Sequence, residues 1–164
     1  MAHLNKTTKE SIKIKESDLL EILKFRSWLK QSLPYLKEKV TVDYLRNKAQ
    51  KAPRGKLIQA VLENKTVGFV AWLEEISGDA YVWWLVVLPS YRGQGIGGLL
   101  LDAALRDIEE NGYRKVWTKV KNDNHSVFSI FLRRKFFVKG LMNEGEVSTV
   151  LLEKIYNNNY QAKK

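Results

Sequence analysis

The sequence of 164 residues has no cysteine, 3 prolines, 2 histidines and 2 methionines, and it has no long apolar run. Without cysteine there are no disulfide bonds, thiolate metal sites or cysteine nucleophile, which fits a reducing cytoplasm. The longest apolar stretch, residues 80–89, is far shorter than the roughly 20 residues that a membrane-spanning helix needs. The first ten residues lack the apolar core of a signal peptide. We therefore expect a cytoplasmic protein without a membrane partner.

The length and the composition fit a single globular domain, because domains most often comprise about 100–150 residues. Hydrophobic residues make up 45% of the chain and charged residues 28%, which is typical of folded proteins and excludes a disordered chain. We expect one domain over residues 1–164, with polar ends at about 1–10 and 157–164.

Positive charge is in excess and unevenly distributed. The chain has 28 Lys+Arg and 18 Asp+Glu, a net charge of +10, and residues 1–56 hold 14 of the basic but 6 of the acidic residues. Such an excess indicates either a solvated basic surface or an anionic partner for this part of the chain. A nucleic-acid-binding module has no support beyond the charge, because no recognition motif is present.

Hydrophobic periodicity predicts the order β-α-α-β-β-β-α-β-α-β-β, an α/β fold with a mixed sheet. Asp18 and Glu21 form a candidate capping box, Pro34 interrupts the first helix, and Asn111-Gly112 ends the third. The predicted strands cover residues 11–16, 56–63, 66–75, 80–88, 116–120, 136–142 and 147–155, and the predicted helices cover 19–30, 40–51, 96–108 and 126–134.

The three middle strands predict an antiparallel meander, because good turn sequences separate them. In the third of them, Trp83 and Trp84 are consecutive. Since neighbouring side chains of a strand alternate between faces, we expect the two indoles on opposite faces of a doubly buried strand.

Four of the 10 glycines lie between Gly93 and Gly98, between a strand and a helix, and Arg92 precedes them. Free N–H groups at a helix start carry partial positive charge, and glycines let backbone amides surround a phosphate closely. A P-loop is excluded, because that motif ends in Gly-Lys-Ser/Thr and this chain has Gly97-Gly98-Leu99 instead. The dinucleotide spacing G-x-G-x-x-G is present, but residues 119–121 are Lys-Val-Lys, where an acidic residue is required.

The segment 85–100, Leu-Val-Val-Leu-Pro-Ser-Tyr-Arg-Gly-Gln-Gly-Ile-Gly-Gly-Leu-Leu, resembles the acetyl-CoA signature of the GNAT superfamily of N-acetyltransferases. That signature is a strand ending in Val-x-Pro, followed by R/Q-x-x-G-x-G/A at a helix start. The resemblance extends to the first strand and helix, to Asn124 and to Phe136. It implies a GNAT-type mixed, mostly antiparallel sheet with helices on both faces and a splayed parallel pair of central strands.

The resemblance also implies a binding site for acetyl-CoA as co-substrate, with no metal. Backbone groups of Leu85 and Val87 would pair with the pantetheine arm, and the amides of the glycine segment would hold the pyrophosphate. The implied cofactor-binding residues are Leu85, Val87, Arg92, Gly93, Gln94, Gly95, Ile96, Gly97, Gly98, Asn124 and Phe131.

Acetyl transfer to an amine requires an oxyanion donor and a proton for the leaving thiolate. The Leu88 N–H, freed by the splay, is the expected donor. Many family members use a tyrosine on the last short helix as the acid, but the alignment places Phe131 there, so this role is unfilled or moved.

The general base stays open among Tyr81, His125, Glu74 and Glu75. Ribosomal-protein N-terminal acetyltransferases of this superfamily carry a glutamate where Lys119 stands. Histone-type members carry one near Tyr81.

The expected activity is N-acetylation of a primary amine. At pH 7 a lysine amine is neutral in roughly one molecule in 2,500, but an α-amine in about 10%. A weak base therefore favours a peptide N-terminus or a small amine over lysine. The alternative is a catalytically weak acetyl-CoA sensor or binding module. We expect a monomer or homodimer, and the charge suggests an acidic acceptor.

Overall fold

A computed structural model describes residues 11–32, 37–145 and 147–156, so the predicted polar ends and Pro34 lie outside the described residues. Seven strands in this part of the chain form one sheet in the order β1-β2-β3-β4-β5-β7-β6. The strands are β1 Lys13–Ser17, β2 Gly55–Leu62, β3 Lys65–Glu74, β4 Ala80–Val87, β5 Lys115–Lys121, β6 Phe137–Glu144 and β7 Val147–Ile155. The helices are α1 Arg26–Ser32, α2 Val42–Lys51, α3 Ile96–Glu110 and α4 His125–Leu132, with 3-10 helices at Leu19–Phe25 and Pro89–Tyr91.

The mixed sheet separates two hydrophobic cores, which confirms helices on both faces. One core lies under α3 and α4 and contains Leu100, Leu101 and Phe131. The other lies under the first 3-10 helix, α1 and α2, and contains Ile22 and Leu29. None of the helices in the described ranges is long and apolar enough to cross a membrane.

The first predicted helix begins where expected but not as an α-helix. Asp18 caps it by accepting a hydrogen bond from the Leu20 N–H at 2.8 Å. Leu19, Ile22 and Phe25 are all buried, and their spacing of three matches the 3.0 residues per turn of a 3-10 helix. The prediction of α-helix over these residues is therefore wrong, and α-helical geometry begins only at Arg26.

The meander of β2, β3 and β4 is antiparallel, as predicted, but the expectation for Trp83 and Trp84 is wrong. Ala71 pairs with Trp84 and Trp72 pairs with Val82, so Trp83 is an extra residue in β4. A bulge shifts the alternation of side chains by one. Both indoles consequently pack in the core under α1 and α2, with ring centroids 5.8 Å apart.

The one parallel contact in this sheet, between β4 and β5, is very short. It comprises the pairs Ala80–Val116 and Tyr81–Trp117. Just beyond them, the Thr118 hydroxyl donates to the Val82 carbonyl at 2.9 Å. The strands then diverge toward their C-terminal ends, which confirms the splayed pair and opens a wedge in the middle of the sheet.

Candidate active site

A cleft of about 670 Å³ runs from the wedge to the start of α3. It brings together β4, the glycine segment and α4, which are far apart in sequence. Of the predicted cofactor residues, Leu85, Val87, Arg92, Gly93, Gly95, Ile96, Gly97, Gly98 and Asn124 line it, whereas Gln94 and Phe131 do not.

Glycine is required where the chain turns into α3. Gly95 is the N-cap residue with φ 84° and ψ 4°, and no side chain caps the helix. This left-handed conformation favours glycine. The first N–H groups of α3 therefore begin at the cleft wall without a side-chain acceptor, which leaves them available for an anion.

The backbone of β4 turns polar groups toward the wedge at alternate residues. The Leu88 N–H donates to the Val67 carbonyl of β3 at 2.9 Å, so the prediction that the splay frees this amide is wrong. Because successive N–H groups point to opposite sides of a strand, the main-chain groups of Leu85 and Val87 face the wedge instead. The two pairs with β5 end well before both residues.

Arg92 and Gln94 are both engaged with nearby carbonyl groups. The exposed Arg92 side chain donates from Nε to the Val87 carbonyl at 2.9 Å. Gln94 donates to the Ser90 carbonyl at 3.3 Å, away from the cleft. The positively charged guanidinium of Arg92 therefore lies at the cleft, beside the Val87 carbonyl that faces the wedge.

Asn124 and Phe131, at the two ends of α4, differ in their surroundings. Asn124 caps the helix by accepting from the Val127 N–H at 3.3 Å, and it lines the cleft. Phe131 is 1% exposed and packs edge-to-face on Phe136 in the core. The position that the resemblance associates with a proton donor thus carries a buried ring without a polar atom.

The candidate bases are not gathered at one point. Tyr81 stacks on Trp117 with centroids 4.2 Å apart, and burial raises its pKa, with smaller effects from Tyr44 and Glu75. A tyrosine with a raised pKa keeps its proton at neutral pH and is no base there. His125 is exposed at the start of α4 and does not line the cleft.

Both candidate glutamates are already engaged. Glu74 accepts a hydrogen bond from the Tyr113 hydroxyl. Glu75 forms an ion pair with Lys48 at 2.5 Å. Neither carboxylate lines the cleft.

Several cleft residues were not predicted from the sequence, among them an ion pair and a serine. Asp102 and Arg134 form a two-pronged ion pair, with Nε–Oδ1 at 2.6 Å and Nη2–Oδ2 at 2.9 Å. The basic run 133–135 after α4 was the available signal for Arg134. Ser32 of α1 also lines the cleft, and no local pattern points to it because the opposite face of the sheet contributes it. No cluster of three potential metal ligands occurs in residues 11–32, 37–145 and 147–156.

A sheet that splits beside a glycine-lined helix start is the architecture of the N-acetyltransferase class. The family model described as acetyltransferase (GNAT) family matches residues 22–136. Since this match spans more than half of the chain, the protein belongs to the GNAT family.

Individual relatives are more distant. The chain is similar to a [ribosomal protein bS18]-alanine N-acetyltransferase of Haemophilus influenzae, with 29% identity over 71 residues, 43% of this chain. The match spans about half of that relative, 48% of its length.

Two solved structures illustrate the similarity in fold. An N-acetyltransferase of Staphylococcus aureus matches with TM-score 0.71 and 16% identity, covering 88% of this chain and 98% of the other. The PaiA N-acetyltransferase of Thermoplasma acidophilum, solved in complex with coenzyme A, matches with TM-score 0.66 and 21% identity, covering 88% and 99%.

Proposed function

We propose that the protein transfers the acetyl group of acetyl-CoA to a primary amine by direct attack, as a single acetyltransferase domain over residues 1–164. One observation carries the proposal: the wedge between β4 and β5 and the start of α3 open into the same cleft. A molecule with an extended amide-bearing arm and a pyrophosphate fits that combination. Coenzyme A has both, and the PaiA relative was solved with it.

The residues of the cleft match the two parts of such a ligand. The wedge-facing main-chain groups of Leu85 and Val87 would hydrogen-bond the arm as a short additional strand. The N–H groups after Gly95 and the guanidinium of Arg92 would bind the pyrophosphate, as helix starts and arginines bind anions elsewhere. Bound acetyl-CoA supplies the activated thioester.

The cleft offers little base catalysis. Among the described residues that line it, Asp102 is the one carboxylate, and Arg134 already binds both of its oxygens. The amine has to be neutral before it forms the new C–N bond and the C–S bond breaks. A cleft without a free base therefore favours amines of lower pKa, namely peptide N-termini and small amines, over lysine. The similarity to an alanine N-acetyltransferase supports a peptide N-terminus.

A second candidate is an acetyl-CoA sensor with little turnover. The buried Phe131 favours it, because this ring occupies the position of the usual proton donor. The net charge of +10 supports an acidic acceptor or partner in either case.

Turnover separates the two candidates. We expect free thiol to appear when acetyl-CoA is mixed with Ala-initiated peptides. At pH 7, kcat/KM should exceed that for Nα-blocked lysine by on the order of 100-fold, following the neutral fractions of the two amines. Acetyl-CoA binding by calorimetry without thiol release from any peptide or small amine would select the sensor, and absence of binding would contradict both.

A further inference from the structure

The cleft passes through the sheet to the side that carries α1 and α2. Ser32 of α1 and Val86 line the same cleft as the glycine segment. Val86 packs in the core under α1 and α2, whereas Ile96 packs in the core under α3. The cleft therefore has a second mouth on the α1 side, through which an acceptor can reach the wedge from the side opposite α3.

Lys119 lies on β5, the other strand that borders the wedge, with its side chain on the same side of the sheet as α1. Along β5, Val116 and Val120 pack in the core under α3, so alternation directs Trp117 and Lys119 to the α1 side. The stack of Trp117 on Tyr81 marks the last β4–β5 pair. Lys119 lies two residues further along β5, where the gap between the strands has opened.

The Lys119 ammonium differs from neighbouring lysines in lacking a carboxylate. Its Nζ lies 5.8 Å from the Trp117 ring centroid, and the side chain is exposed. By contrast, Lys48 pairs with Glu75 at 2.5 Å and Lys115 with Asp79 at 2.7 Å. Within the described ranges, no Asp or Glu lies within 4.0 Å of the Lys119 ammonium. The ammonium lies near the aromatic ring on the α1 side of β5 and stays available to an anion.

We propose that the acceptor is a primary amine with a carboxylate one or two residues away, and that Lys119 binds this carboxylate on the α1 side of the wedge. This inference rests on the proposed acetyl transfer and names its substrate class. An acidic side chain at this position would repel the same carboxylate, whereas the lysine ammonium attracts it.

The test compares hexapeptides that begin Ala-Glu, Ala-Gln and Ala-Lys, together with free glutamate, at low salt. One readout is fluorescence-detected binding to protein saturated with coenzyme A, and the other is kcat/KM from thiol release with acetyl-CoA. Wild type should bind Ala-Glu up to about five-fold more tightly than Ala-Gln, the upper end for an exposed ion pair. Lys119→Met should remove this preference, and Lys119→Glu should shift it to Ala-Lys.

Lys15→Met is the matched control, because it removes the same charge from the exposed face of β1, four strands away from β5 in the sheet. It should keep the preference. Tighter binding of free glutamate than of Ala-Glu would place the recognised carboxylate on the same residue as the amine and would contradict the proposed spacing, whereas the reverse is expected for a side-chain carboxylate one residue away. Equal binding of Ala-Glu and Ala-Gln, or a preference that survives Lys119→Met, would overturn the proposal. Because binding is measured without acetyl transfer, selective binding without thiol release would contradict the proposed function alone.

Discussion

Gly95 is a residue at which the backbone of the cleft is restricted, since the turn into α3 gives it a φ of 84°. Any L-residue in this left-handed region is strained by about 1 kcal/mol. A side chain here also stands at the start of the N–H groups assigned to the pyrophosphate.

We expect Gly95→Ala to weaken acetyl-CoA binding by at least 10-fold in calorimetry and to lower the free energy of unfolding by about 1 kcal/mol. Gly78→Ala is the control. Gly78 has a comparable φ of 80° with open space around it, in a turn remote from the cleft. It should lose similar stability and bind acetyl-CoA normally. Normal binding by folded Gly95→Ala would remove the glycine turn from the site.

At this scale the sequence predicted the glycine turn well and individual hydrogen bonds poorly. The glycines indicate their role because few other residues adopt a left-handed backbone conformation, and because four of them lie within residues 93–98. The Leu88 amide was misassigned because the bond to Val67 depends on the register between two strands, and residue types do not encode that register locally. The position of Arg134 beside Gly98 likewise depends on how α3 and α4 pack.

Asp107 connects α3 to two strands of the sheet at the level of secondary-structure elements. It is 8% exposed and accepts hydrogen bonds from the Trp72 indole at 2.8 Å and from Lys56 at 2.6 Å. Burial alone would lower the Lys56 pKa, but hydrogen bonds to Asp107 and Glu16 outweigh it and raise the pKa. Removing this carboxylate leaves the buried Trp72 indole N–H without its acceptor and leaves the partly buried Lys56 ammonium with Glu16 alone.

We therefore expect Asp107→Ala to lower the free energy of unfolding in urea by about 2–4 kcal/mol. Asp107→Asn should cost less, because its amide oxygen still accepts from Trp72. Asp43→Ala should change the free energy of unfolding by under about 0.5 kcal/mol, since its pair with Arg46 is exposed. A loss as small for Asp107→Ala would show that α3 is held by apolar packing alone.

The elements themselves were largely predictable, with strand and helix bounds close to those observed. Periodicity identified them because one face of each is apolar. The bulge at Trp83 was not predictable, because two adjacent tryptophans look the same in the sequence whether or not β4 carries an extra residue. It arises from pairing with β3, and it concentrates both indoles on the α1 side, where the second mouth opens.

For the molecule as a whole, buried tyrosines set its response to high pH. Burial raises the pKa of Tyr81, Tyr113 and Tyr156. In the unfolded chain these phenols ionise near pH 10, whereas the folded protein keeps them protonated to higher pH. Their contribution to stability is therefore complete below pH 10 and is lost as the pH rises above it.

We expect the free energy of unfolding, measured in urea by tryptophan fluorescence, to fall steeply between pH 10 and 11. Each such tyrosine contributes up to about 1.4 kcal/mol per pH unit. Tyr156→Phe loses the hydrogen bond to the Leu105 carbonyl and should be less stable at pH 8, but its slope above pH 10 should be shallower. Equal slopes for both proteins would mean that Tyr156 ionises as easily in the folded state.

The two-pair contact between β4 and β5 also determines how the halves of the sheet hold together. Strands β1–β4 form one antiparallel half of the sheet and strands β5–β7 form the other, each with continuous hydrogen-bonded pairing. The β4–β5 contact, called the seam below, joins these two plates. Separating the plates breaks fewer ladder bonds along the seam than along any other line between neighbouring strands of the sheet. A co-substrate that lies in the wedge and hydrogen-bonds to β4 contacts both halves of the sheet. Its binding free energy therefore adds to the stability of the sheet. The sheet is thus most stable when the co-substrate is bound.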